Sequence, residues 1–118
     1  MYNKVFTDDF SALGAQLTEI LSDMSGESPL KSVIELSYSE NPLFTPNMQI
    51  YSILSICREF LDRRVIEEWL SPYRYKIEER EKTVLIVMAG NIPMVGFHDL
   101  LSTLACGFKA NVKLSITK

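Results

Sequence analysis

The sequence holds one histidine, two cysteines and one tryptophan among its 118 residues. A lone histidine with two cysteines far apart, Cys57 and Cys106, has no metal-ligand spacing, so no metal site is expected. Both cysteines fall in apolar helical patterns, which suits a reduced cytoplasmic protein better than a disulfide scaffold. No apolar run approaches the ~20 residues that cross a bilayer, so no membrane span is expected. The opening Met1-Tyr2-Asn3-Lys4-Val5-Phe6-Thr7-Asp8-Asp9 is polar and acidic, with no signal-peptide core behind it. Excess positive charge is lacking too. The net charge is −3, which argues against nucleic acid as a partner. There is no Walker loop, no G-x-G-x-x-G, no internal repeat and no low-complexity tract.

What remains is globular in character: 47% hydrophobic and 23% charged residues, in a length that suits one domain of ordinary size. Charge is uneven along it. Residues 1–40 carry a net −5, residues 41–82 are neutral, and residues 83–118 carry +2 through Lys109, Lys113 and Lys118 against Asp99.

Three parts follow from the patterning: a helical region over 1–72, a charged connector over 73–82 and a βαβ unit over 83–118. Phe10, Leu13, Leu17, Ile20, Leu21 and Met24 recur at helical spacing and predict a helix from Thr7 or Asp8, as N-cap, to a stop at Gly26. Ser28-Pro29 opens a second helix with Leu30, Val33, Ile34 and Tyr38 inward, and Asn41-Pro42 breaks it. Thr45-Pro46 opens a third, with Met48, Ile50, Tyr51, Leu54, Cys57, Phe60 and Leu61 on its buried face. Val65, Ile66, Trp69 and Leu70 continue it until Ser71-Pro72. The Glu78-Glu79-Arg80-Glu81-Lys82 run reads as a solvated surface.

The character then changes. Val84 to Ala89 is a continuous β-branched and apolar run, typical of a strand buried on both faces. Gly90-Asn91-Ile92-Pro93 is a turn. Met94 to Cys106 is helical, with Phe97, Leu100, Leu101 and Leu104 inward and Gly107 as its stop. Asn111 to Ser115 reads as a second strand. Strand, turn, helix, strand is a parallel βαβ unit, so the fold class is α/β with a mainly helical N-terminal region. Two parallel strands make an incomplete sheet. Its unpaired edge and uncovered apolar faces predict a homo-oligomer.

The string Gly90-Asn91-Ile92-Pro93-Met94-Val95-Gly96-Phe97-His98-Asp99, with Gly107 and Val112-Lys113-Leu114-Ser115, resembles the N-terminal part of the LuxC-type acyl-CoA reductases. These form a branch of the aldehyde dehydrogenase superfamily. Asn41-Pro42-Leu43-Phe44-Thr45-Pro46 and Trp69-Leu70 add to the likeness, which covers most of residues 41–118. The resemblance implies an incomplete piece of an aldehyde-dehydrogenase-like fold, and an enzyme that reduces a fatty acyl-CoA or other acyl thioester to an aldehyde with NADP.

The roles it implies fall on individual positions. Asn91 matches the asparagine whose side-chain amide stabilises the oxyanion, a fixed donor that needs no reorganisation as charge develops. Lys113 matches the lysine that reaches the adenosine ribose or its 2′-phosphate, which favours NADP. Ser115 lies beside it, and Gly90 lets the backbone turn close to the dinucleotide. The family's nucleophilic cysteine lies further on than Lys118, and both cysteines here read as structural. The isolated chain is therefore expected to be inactive. Read from residues alone, Asn91 is also a helix cap, and His98 beside Asp99 reads as packed or hydrogen-bonded rather than as a general base. The alternative is a short non-catalytic helical interaction module that oligomerises or completes a partner's sheet.

Overall fold

The computed structural model describes residues 2–22, 28–73, 80–88 and 94–114. Among these it is α/β and mostly helical. α1 (Tyr2–Ser22), α2 (Pro29–Glu40), α3 (Pro46–Glu59) and α4 (Arg63–Leu70) lead through a 3-10 turn at Ser71–Tyr73 to β1 (Thr83–Val87). α5 (Phe97–Ala105) and β2 (Lys109–Lys113) complete the order.

Helix starts were legible where a cap is followed by proline. The Ser28 hydroxyl accepts from Lys31 N–H at 3.1 Å and Thr45 from Met48 N–H at 3.2 Å, each with proline at the next position. α1 differs from expectation. It starts at Tyr2, so neither Thr7 nor Asp8 is its cap. Phe6 is buried and stacks on Phe10 with ring centroids 4.6 Å apart, which draws the preceding turn into the helix. Asp8 instead takes Lys4 at 3.0 Å and Arg63 at 2.8 Å. The expected stop at Gly26 lies outside the described residues.

The third helical stretch is two helices, not one continuous run. α3 ends at Glu59, and Asp62 caps α4 by accepting from Arg64 and Val65 N–H at 3.0 and 3.4 Å. This break turns Leu61 and Ile66 into the centre of the core, 1% and 0% exposed. Met48 and Tyr51, expected inward, are exposed; Gln49 and Ile53 are buried in their place. Val33 and Tyr38 of α2 are likewise exposed, and Ile34 alone is fully buried there.

Gln49 is the buried polar residue that joins α2 to α3. Its Nε2 donates to Ile34 O at 3.1 Å and to Phe44 O at 2.7 Å. Leu101 and Ala105 of α5 belong to the same cluster as Phe6, Leu21, Ile34, Ile53, Leu61 and Ile66, so one continuous core joins the helices to the βαβ unit.

β1 and β2 are parallel, with Val84 opposite Ala110, Ile86 opposite Val112 and Val87 opposite Lys113. α5 connects them, as the pattern predicted. Gly107 ends α5 at φ 86°, and its N–H donates to Leu104 O at 3.0 Å. That left-handed position is one that glycine takes without strain. The expected burial of β1 on both faces is corrected. Ile86 is buried, whereas Leu85 and Val87 are 64% and 70% exposed, because α5 covers one side of the ribbon only. No helix of the described residues is long and apolar enough to cross a membrane.

Candidate functional site

In a parallel sheet both strands end at the same edge, and ligands of open α/β sheets bind beyond those carboxyl ends. Here that edge consists of Val87 and Met88 from β1 and Lys113 from β2. Met88 N–H donates to Lys113 O at 2.9 Å, which extends the ladder one residue beyond the strand. The Lys113 side chain is exposed and has no ion-pair partner among the described residues. Gly90, Asn91 and Ser115 lie outside the described residues, although Gly90 and Asn91 belong to the segment joining β1 to α5.

The far end of that segment is tightly fitted. Gly96 is the N-cap residue of α5, and a Cβ built on it would meet Met88 Cγ and lie 2.7 Å from its sulfur. The start of α5 thus lies close against the Met88 side chain at the end of β1. Met94 sits in the left-handed region at φ 61°, and its carbonyl accepts from Phe97 N–H at 3.1 Å. Asp99 occupies the first turn of α5, where the helix dipole favours a negative charge.

His98 is exposed, with its ring edge-on to Phe60 at 5.2 Å between centroids. It packs, as the residue reading expected, and ties α5 to the end of α3. The cysteines differ from each other. Cys57 is buried in the core, as expected of a structural thiol. Cys106, expected on an apolar face, is exposed, since α5 ends at Ala105 and position 106 belongs to the turn. Among the described residues no group of three or more His, Cys, Asp or Glu is placed to hold a metal.

Two features were not read from sequence. Arg80 is exposed, as the solvated charge run predicts, and it also clasps the opposite edge of the βαβ unit. Its N–H donates to Gly107 O at 2.7 Å and its Nε to Cys106 O at 3.2 Å, while the guanidinium lies 5.2 Å from the Phe108 ring centroid. It therefore satisfies a carbonyl left open at the end of α5. The second feature is an open groove between α1 and α4, lined by Lys4, Thr7, Asp8, Arg63, Arg64 and Glu67 among others. The Arg63 guanidinium, and then Lys4, hold the Asp8 carboxyl below its usual range. Arg64 is 3.6 Å from Glu68. The groove's cations are thus paired with carboxylates of the chain itself, and its surface has no excess cation to attract an anion.

An exposed cation at the carboxyl edge of a parallel ribbon can hold a phosphate. No nucleophile with a partnering base accompanies it among the described residues. No protein-family model, curated protein or solved structure matches the chain.

Proposed function

We propose that the chain is the N-terminal, cofactor-side part of an NADP-dependent fatty acyl thioester reductase that produces a fatty aldehyde. In this reading it forms the start of an aldehyde-dehydrogenase-like fold and works in the cytoplasm. The observation that carries the reading is the position of the residues behind the resemblance. The segment with Gly90 and Asn91 connects a parallel strand to its crossover helix, and Lys113 ends the neighbouring strand at the same edge. Ligands of parallel sheets are held at such an edge.

Lys113 fits a nucleotide phosphate. It is exposed, cationic and free of carboxylates among the described residues. It would hold the 2′-phosphate of the adenosine ribose, with Ser115 beside it and Gly90 admitting the backbone close to the dinucleotide. When bound, NADPH supplies the hydride that reduces the acyl group. Asn91 would donate its side-chain N–H to the thioester oxygen as negative charge develops there. The acyl-accepting thiol has to come from residues other than Cys57, which is buried in the helical core.

The gene tests the reading. A reading frame that continues past the Lys118 codon into a region supplying a nucleophilic cysteine supports it. A stop codon at that point favours the non-catalytic interaction module.

A further inference from the structure

The outward side of the β1–β2 ribbon carries two rows of different chemistry. Residues paired in a parallel ladder point to the same side, so the register sets Leu85 and Val87 of β1 beside Lys109, Asn111 and Lys113 of β2. All five are exposed. An apolar row next to a cationic row suits a helix that presents aliphatic and acidic side chains together.

The chain itself has such a helix. Among the described side chains of α1, Val5, Leu13 and Ile20 are the exposed large hydrophobic residues, and Asp9 and Glu19 are exposed among them. At ~100° per residue these five fall within about 120° of the helix circumference, with Leu13 at the border beside the buried Phe6 and the middle of the arc about 140° from the buried Leu21. Asp9 and Glu19 are ~15 Å apart along the axis at ~1.5 Å per residue. Lys109 and Lys113 are ~13 Å apart at ~3.3 Å per residue. None of the four charges has an ion-pair partner among the described residues.

We propose that a second copy of the chain docks the exposed side of its α1 on the outward face of β1–β2. Leu13 and its aliphatic neighbours cover Leu85 and Val87, and Asp9 and Glu19 face Lys109 and Lys113. The contact gives the parallel ribbon the second covering layer that parallel sheets otherwise have. It also matches the acidic residues 1–40 to the cationic residues 83–118. The inference rests on the ribbon and on α1, not on the reductase reading. Lys113 serves either the docked helix or a nucleotide phosphate at any one time.

Sedimentation equilibrium of the full chain, from micromolar to millimolar concentration, is the test. The average mass should rise above 13.5 kDa with concentration, and less so at high salt, which screens exposed charge pairs. Lys109→Glu with Lys113→Glu should move the association midpoint at least tenfold upward, from two exposed pairs turned repulsive. Adding Asp9→Lys and Glu19→Lys to that variant should restore it. All four positions are exposed, and far-UV circular dichroism confirms that each variant keeps its helices. A monomer throughout the range overturns the proposal. So does association that charge reversal leaves unchanged, because the copies then meet through another face.

Discussion

Gly14 lies in the middle of α1, and two effects of opposite sign meet there when it becomes alanine. Helix propensity favours alanine by ~1 kcal/mol, because glycine loses more backbone freedom when it is ordered. Packing opposes it. A Cβ at position 14 would lie 2.7 Å from Leu61 Cβ, 3.0 Å from Leu61 O and 3.4 Å from its carbonyl carbon. These are not the far end of a flexible side chain, and Leu61 is 1% exposed at the point where the chain passes from α3 to α4. Relief requires α1 to move away from the core that holds Phe6 and Leu21. Overpacking of this kind costs ~1–3 kcal/mol, so the clash outweighs the propensity gain. Gly14→Ala should destabilise by about 1 kcal/mol net. That lowers Tm by roughly 4 °C in a domain of this length. Urea denaturation followed by circular dichroism, with an unchanged m value, reads it directly. Ala12→Gly, on the exposed side of the same helix, isolates the propensity effect at ~1 kcal/mol. A Gly14→Ala chain more stable than the wild type would refute the close approach of α1 to Leu61.

Gln49→Met keeps the volume of the side chain but leaves Phe44 O without its 2.7 Å donor; a loss of ~1–3 kcal/mol is expected, and a change within error would remove the buried link between α2 and α3. The lowered Asp8 pKa means that its ion pairs add stability above the unfolded value of 3.8 and lose it as pH falls through the folded value. Asp8→Asn should therefore flatten the acid limb of a stability-versus-pH curve, and superimposable limbs would contradict the pairing with Lys4 and Arg63. Arg80→Ala removes the donor to Cys106 O and the cation over Phe108. Faster hydrogen exchange at Phe108 and Lys109 should follow, with exchange in α1 unchanged.

What could be read from sequence was what depends on neighbouring residues. Ser28-Pro29, Thr45-Pro46 and Gly107 set their own caps and stop through local backbone chemistry. The β-branched run at 84–87 likewise set a strand, and α5 between two such strands set a parallel pair. What failed depends on distant partners. Asp8 reads as a cap until Arg63, 55 positions later, takes its carboxylate. Gln49 is absent from the expected buried face, and its burial depends on two carbonyls that meet its amide. Leu85 and Val87 read as buried because a parallel strand ordinarily has cover on both sides. At the candidate site, the order of helix and lysine was visible in the string itself. The shared edge that joins Lys113 to the end of β1 emerges only from the register.

The proposed acyl thioester reduction is tested most directly on the protein encoded by the uninterrupted gene that contains this sequence. NADPH oxidation by that protein should depend on a fatty acyl-CoA and yield the aldehyde. Asn91→Ala should lower kcat by about 10²–10³, the usual effect of removing one oxyanion donor. A protein that carries the further cysteine region yet oxidises no NADPH with any acyl thioester would contradict the account, as would a kcat indifferent to Asn91.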